Sequence, residues 1–200
     1  MNKSTISKKI LFWYDNNKRI LPWRKNTSKE QKLYFTLVSE FMLQQTQVST
    51  VIPYFKRFVQ KIPNFKKLSK TNDQTLMKLW EGLGYYSRAR NLKKSAIMIN
   101  GKFGGILPSN FEDLKTLPGV GDYTSTAIMA IAFNQKFIPL DGNVERVLKR
   151  VLFLRSDGDI SKENMQISKK FFGLSERASD YAQAIMAVSY THLRAHETWS

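Results

Sequence analysis

The heptapeptide Leu117-Pro118-Gly119-Val120-Gly121-Asp122-Tyr123 decides how this chain is read. A short helical pattern, Asn110–Lys115, precedes it, and a helix rich in small residues, Asp122–Phe133, follows. Gly119 and Gly121 stand astride one apolar residue, so the backbone can turn tightly and expose successive N–H groups at a helix N-terminus. That is a phosphate cradle: donors face outward, no Cβ blocks the approach, and the helix dipole favours an anion. A plain helix–turn–helix corner fits the same seven residues.

The charge of the chain separates the two readings. Its 200 residues carry 32 Lys and Arg against 16 Asp and Glu, a net charge of +16 and a pI near 10.0. That is the footprint of a protein that meets a polyanion, and a phosphate cradle in such a chain holds nucleic-acid backbone without reading its sequence. AT-rich coding, which favours Lys and Asn, would raise the charge as well. Hydrophobic residues make up 42% of the chain, enough to bury a core. The longest apolar runs, such as Ile128–Phe133, fall far short of a bilayer span, and no apolar leader follows the first lysines, so neither a membrane protein nor a secreted one is expected. Cysteine is absent, and both histidines, His192 and His196, stand in the last nine residues. Disulfides, thiolate nucleophiles, Ser–His triads and ordinary zinc sites are thereby excluded.

Working outward from the heptapeptide, period-3.6 patterns dominate and strict alternation is nearly absent, which predicts an all-α fold of one domain or two small ones. Helices are expected from Ser4 or Thr5 to Asp15, Leu33–Leu43, Gln47–Lys61 with Pro53 kinking or restarting it, and Asn72 or Asp73 to Gly82. Tyr85–Asn100, Asn110–Lys115, Asp122–Phe133, Asp141–Leu154, Lys162–Phe172 and Glu176–Met186 complete the set, with Lys25–Lys32 as a polar connection. From Val188 to Ser200 the periodicity fails, and the string SYTHLRAHET reads as a non-native tail without a catalytic role.

Two carboxyls carry the candidate chemistry. Helical spacing sets Glu40 beside Leu33, Leu37 and Phe41, at an apolar face, where lost solvation is expected to raise its pKa and suit it to carry a proton. A glutamate paired with a nearby Lys or Arg is the other reading. Asp141 stands just before an amphipathic pattern, Val144, Val147, Leu148 and Val151, at an N-cap position. Capping N–H bonds and the helix dipole are expected to keep it ionised; a role as cap alone, for which Asp is among the preferred residues, is the other reading. Two carboxyls whose environments diverge in this way fit cleavage of a glycosidic bond through an oxocarbenium-like state.

The run Ser39-Glu40-Phe41-Met42-Leu43-Gln44-Gln45-Thr46-Gln47-Val48, the run Gly82-Leu83-Gly84-Tyr85-Tyr86-Ser87-Arg88-Ala89-Arg90-Asn91, and the stretches LPGVGDYT and LDGNV together resemble the adenine DNA glycosylase (MutY) family of the helix-hairpin-helix superfamily. The order and spacing hold from Trp13 to about Met186. The resemblance implies a helix-hairpin-helix glycosylase fold and a monofunctional enzyme that removes adenine mispaired with 8-oxoguanine or guanine in double-stranded DNA. It implies a monomer at work in the bacterial cytoplasm. By position, Glu40 is the general acid, Asp141 stabilises the sugar cation with Asn143 beside it, and Tyr123 reaches the reacting sugar or acid from the hairpin. Gln44, Gln45 and Thr46 match the segment that enters the base stack when adenine is extruded, and Tyr85, with Tyr86, matches an aromatic wedge. Trp23, Arg24 and Leu43 match parts of the adenine pocket. Arg88, with Arg90, Lys93 and Lys94, forms a basic face suited to phosphates, and Gly119, Val120 and Gly121 hold the backbone at the hairpin. Each has a plainer reading as exposed helix-end polar, core aromatic or solvated surface.

The resemblance also sets a six-helix barrel with the hairpin over residues 24–138, a second discontinuous helical domain over 1–23 and 139–187, and the non-native tail over 188–200. The family's full-length members carry a 4Fe–4S cluster on four cysteines; this cysteine-free chain can bind none, and is expected to be a truncated product. Glu145 stands where some relatives carry a basic residue. An endonuclease III-like lyase needs a hairpin lysine for its Schiff base, and Tyr123 occupies the corresponding place. A noncatalytic helix-hairpin-helix DNA-binding fragment is the remaining alternative.

Overall fold

The computed structural model describes residues 3–25, 27–142, 144–145, 149 and 175–194. All described regular structure is helical, as the periodicity predicts. In chain order it comprises α1 (Lys3–Asn17), a 3₁₀ turn (Pro22–Arg24), α2 (Lys29–Leu43), α3 (Val48–Lys61), α4 (Phe65–Lys70), α5 (Asp73–Trp80), α6 (Ser87–Lys102), α7 (Phe111–Lys115), α8 (Asp122–Ile131) and α9 (Ala178–Arg194). No described helix is long and apolar enough to cross a membrane. The chain divides into two compact units, residues 20–128 and the discontinuous pair 1–19 with 129–200.

Side-chain caps set several helix starts in the larger unit. Ser28 accepts from the Gln31 amide at 3.2 Å, Asn64 from Lys67 at 2.8 Å, Asn72 from Thr75 at 2.7 Å and Asn110 from Asp113 at 2.8 Å. Each takes one of the orphan donors of a first helical turn. The Ser28 cap corrects the polar connection expected through Lys32: Lys29–Lys32 are already helical. The Asn64 cap starts a six-residue helix that the sequence reading missed, too short to show a period. Pro53 neither breaks nor restarts α3; it lies on the exposed side, where the carbonyl it leaves unbonded can face solvent.

Helix α2 is the axis of this unit. Residues Leu33 to Met42 are all buried, so the helix is enclosed on every side and not merely along one apolar stripe. It packs on α3, α6 and the 3₁₀ turn, while α4 pairs with α6. Aromatic rings fill the contacts edge to face: Trp23 on Phe55 and Phe55 on Phe35 at 5.3 Å, Tyr34 on Phe65 at 5.1 Å, Phe58 on Trp80 at 6.0 Å. The buried Tyr34 hydroxyl donates to the Ile62 carbonyl at 2.5 Å, and burial drives its pKa far upward.

In the other unit α1 pairs with α9. Ile138, Val144, Tyr181 and Ile185 form its core, flanked by Ile10, Leu11, Leu140 and Met186. Arg177 forks onto both carboxylate oxygens of Asp15, at 2.7 and 2.9 Å, and also meets Asp180 at 2.7 Å. Helix α9 runs to Arg194, eight residues past the end expected at Met186, which corrects the loss of helical structure expected from Val188. Nothing between Ala178 and Arg194 is Gly or Pro, so no residue stops propagation from the packed first turns. The expected helix Lys162–Phe172 and residues 195–200 lie outside the described residues.

Candidate functional site

Glu40 sits one turn from the end of α2, with 9% of its surface exposed. Its carbonyl receives the Gln44 amide at 3.2 Å, the bond that closes the helix. The last helical residue, Leu43, is half-buried, and the chain then leaves through Gln44, Gln45 and Thr46. The Thr46 hydroxyl donates back to the Gln44 carbonyl at 3.4 Å and its amide to Leu43 at 3.2 Å. Gln45 has φ +56°, is exposed, and is neither glycine nor asparagine. Left-handed backbone at such a residue costs about 1–2 kcal/mol and persists only where its surroundings impose it.

A second strained turn follows α5. Gly82, Gly84 and Tyr85 have φ of +89°, +74° and +47°. A Cβ on Gly82 would stand 2.3 Å from the Tyr54 hydroxyl, so glycine is needed there for conformation and for room. Trp80 Nε1 donates to the Gly84 carbonyl at 3.1 Å, tying the turn to the core. Tyr85 is left 61% exposed and Tyr86 41% exposed, both well outside the core.

Arg88 joins the two turns. Its Nη1 donates to the carbonyls of Phe41 at 3.2 Å, Met42 at 2.8 Å and Gln44, and its Nη2 to those of Leu83 at 3.1 Å and Gly84 at 3.2 Å. The guanidinium carbon lies 5.4 Å from the centre of the Tyr85 ring and 5.6 Å from that of Trp80, within cation–π range. Burial lowers its pKa from the usual arginine range, although guanidinium stays charged. This corrects the expected basic face. Arg88 is 6% exposed and both of its terminal nitrogens donate to backbone carbonyls; the remaining Nε is buried, so no exposed fork is left for a phosphate. Of the rest of that face, Arg90 and Lys94 are exposed, while Lys93 is ion-paired to Asp73 at 2.5 Å. The signal was present in the sequence: Arg88, Leu92, Ser95 and Ile99 share one helical face, and all four are buried.

The hairpin turn docks on these elements with one side only. The Pro118 carbonyl accepts from Ser95 of α6 at 2.9 Å, and the Gly119 carbonyl from the Gln44 side chain at 3.3 Å. Gly119 has φ +82°, and a Cβ there would meet Phe41 Cε1 and Asn91 Cβ, each at 2.9 Å. Its glycine therefore serves close packing against α2 and α6, which amends the expectation that both glycines keep a ligand's approach clear. Gly121 does face open space, with no atom within 4 Å of where a Cβ would stand. Val120 between them is buried and donates to the Leu117 carbonyl at 3.0 Å. Lys115 and Asp122 close the hairpin with an ion pair at 2.6 Å, which raises the lysine pKa. Tyr123 stands half-buried in the first turn of α8.

Trp23 is buried in the 3₁₀ turn against Phe55, and Arg24, the next residue, is half-buried. Asp141 belongs to the other unit. Its Oδ1 accepts the Val144 amide at 2.7 Å and its carbonyl the Glu145 amide at 2.8 Å, so it is the N-cap expected from the sequence. Glu145 pairs with Lys149 at 3.0 Å. Asn143 lies outside the described residues. A concavity of about 780 Å³, lined by Arg57, Lys61, Lys67, Lys70 and Lys78 among others, contains none of the expected site residues.

The chain contains no cysteine, and among the described residues no three His, Cys, Asp or Glu side chains gather as metal ligands. The residues present do not fit an iron–sulfur cluster, and no step below runs through one.

Over residues 38–173 the sequence matches the HhH-GPD superfamily base excision DNA repair proteins. The adenine DNA glycosylase of Rattus norvegicus is 42% identical over 199 residues, covering 94% of this chain and 38% of that protein. That of Buchnera aphidicola subsp. Acyrthosiphon pisum is 44% identical over 151 residues, covering 75% and 42%. The chain thus spans about two fifths of the length of these curated relatives. Among solved structures, a thermostable thymine-DNA glycosylase superposes with a TM-score of 0.79 at 25% identity, covering 94% of this chain and 86% of that one. A trapped endonuclease III–DNA covalent intermediate superposes with a TM-score of 0.74 at 22% identity and the same coverage, a likeness of fold. Since the family match takes in Glu40, both strained turns, the hairpin and Asp141, the chain belongs to the HhH-GPD superfamily of base excision DNA repair proteins.

Proposed function

We propose that this chain carries the catalytic part of a monofunctional adenine DNA glycosylase acting on adenine opposite 8-oxoguanine or guanine in duplex DNA. The observation that supports it best is the arrangement at the end of α2. A buried acid, Glu40, lies a few residues from the exposed left-handed Gln45, and Arg88 ties that exit to the turn bearing the exposed Tyr85. An extruding enzyme needs such groups on rigid supports: side chains that enter the stack, and an acid shielded from water that meets the base once it is out.

In this reading the duplex rests with its backbone against the open side of the hairpin at Gly121, Gln45 enters the stack as adenine leaves it, and Tyr85 wedges beside the oxidised guanine. Glu40 protonates the extruded base, the C1′–N bond breaks with its electron pair passing to the base, and Asp141 stabilises the sugar cation while water adds to C1′. Glu40 then takes the proton from that water. Tyr123 and Asn143 assist at the sugar, Trp23, Arg24 and Leu43 shape the base pocket, and Gln44, Thr46, Tyr86, Gly119 and Val120 hold the loops that carry the wedge. The active species is a monomer on one duplex. An endonuclease III-like lyase would need an amine where Tyr123 stands.

The test is a single-turnover assay on duplexes with adenine opposite 8-oxoguanine, opposite guanine and opposite thymine. Strand breaks appearing only after alkali, on the first two duplexes, are the expected result. Breaks without alkali, together with borohydride trapping of enzyme on DNA, would convert the assignment to a lyase. Tight duplex binding without adenine release would reduce it to a binding module.

A further inference from the structure

We infer that Arg88 is a positioning residue: a buried guanidinium that locks the left-handed exits at Gln45 and Tyr85 into one geometry, so that the two stack-entering segments form a single part. The inference rests on the adenine glycosylase reading for what the two segments do, but not for how they are held.

The argument begins with donor arithmetic. Arginine carries its N–H groups in a rigid planar fork, so its two terminal nitrogens can bond carbonyls that lie on opposite sides; in Arg88 both do so, and only the buried Nε has no partner. Here one arm reaches the carbonyls of Phe41, Met42 and Gln44, the orphan acceptors at the end of α2. The other arm reaches Leu83 and Gly84, in the turn before α6. Helix ends with open carbonyls are negative, so a cation at this point is favoured by the dipole as well as by the bonds. The residue following each clamped carbonyl set, Gln45 in one segment and Tyr85 in the other, has positive φ without being glycine. Such conformations need surroundings that enforce them, and Arg88 bonds the peptide groups next to both. Its guanidinium also stands over the Tyr85 ring at 5.4 Å, which orients the exposed aromatic itself.

Four properties of the full chain test this with Arg88→Lys and Arg88→Met. Lysine keeps the charge but, as a point donor on a flexible stem, cannot span both carbonyl sets; methionine keeps volume and loses both. In hydrogen–deuterium exchange, the amides of residues 44–46 and 83–86 are expected to loosen together in Arg88→Lys. Loosening of one segment alone, or of neither, overturns the inference whether or not the protein turns out to be an enzyme. In single-turnover assays at a temperature where circular dichroism shows the variant folded, adenine release is expected to fall roughly ten- to hundredfold, as misplacement by an ångström does. Fluorescence of 2-aminopurine placed opposite 8-oxoguanine should rise less on binding, reporting incomplete extrusion. Release unchanged per folded molecule would make Arg88 a fold residue only. The slope of log K for duplex binding against log salt is expected to stay at its unaltered value in Arg88→Met; a slope shallower by about 0.9 would mark a phosphate contact and overturn the assignment. If Arg88→Met does not fold, Arg88→Lys carries the exchange and turnover comparisons. Absence of adenine release from the unaltered chain would count against the glycosylase reading, not against the clamp.

Discussion

The side-chain amide of Gln44 donates to the carbonyl of Gly119 at 3.3 Å, joining the end of α2 to the hairpin turn 75 residues later. Removing the donor in Gln44→Ala costs about 1 kcal/mol of stability, the net worth of one hydrogen bond. The consequence for catalysis should be larger than for folding, because that bond aligns the exit of α2 with the hairpin. The expected outcome is a small fall in the urea midpoint and a several-fold slower release of adenine. A change in stability without any change in release would remove Gln44 from the machinery.

The two hairpin glycines should separate cleanly. Gly119→Ala forces a Cβ to within 2.9 Å of Phe41 and Asn91 at a φ of +82°, so it should destabilise by about 2–4 kcal/mol from conformation and overpacking together. Gly121→Ala meets no atom, and its stability should stay within about 0.5 kcal/mol of the original. If the open side takes a phosphate, Gly121→Ala weakens duplex affinity nonetheless. Urea melts and a binding titration on the same two variants check both statements.

Glu40→Gln keeps the shape of a buried side chain and removes the acid. Adenine release should become undetectable in single turnover while affinity for the duplex persists. Release at the original rate would move the proton donor elsewhere.

Asp141→Asn and Asp141→Ala divide cap from charge. Asparagine caps as well as aspartate, so Asp141→Asn should retain stability and lose turnover. Asp141→Ala loses the bond to the Val144 amide as well and should cost a further ~1 kcal/mol. Equal activity of Asp141→Asn and the original chain would leave the residue as a cap alone.

Acid should unlock the pair that ties α1 to the segment before α9. The hydrogen bond from Arg177, with smaller help from its charge and from Lys18, holds the exposed Asp15 carboxyl below its ordinary value of 3.8. A depressed folded-state pKa contributes stability above the unfolded value and loses it as pH falls through the folded one. The stability gap between the original chain and Asp15→Asn should therefore be constant at neutral pH and close only below about pH 4. Urea melts across that range test it; a gap that closes between pH 5 and 7 would point to a different titrating group.

Much of the helical plan follows from contacts between near neighbours in the chain. The Asn72, Asn110 and Asp141 caps are each set by a side chain three residues from the amide it serves, which is why these helix starts are legible in the residue string. Helix α4 was not, because its two buried residues, Phe65 and Leu68, are too few to show a period. The extension of α9 to Arg194 was not, because weak helix formers carry on when the preceding turns are packed. At the site, the identities of Glu40, Gln45, Tyr85 and the hairpin glycines could be read from motifs, but their conformations could not.

Arg88 marks the dividing line. An arginine after a glycine-rich turn in a chain of net charge +16 suits a phosphate as well as it suits carbonyls, and its own neighbours do not choose between them. The choice is made by five acceptors from residues 41 to 44 and 83 to 84, brought together by the packing of α2 against α6. Local sequence thus settled helix, cap and turn, since those are short-range bonds. Burial and the meeting of distant carbonyls settled which cation is structural, since desolvation depends on everything packed around a group and not on the residues beside it.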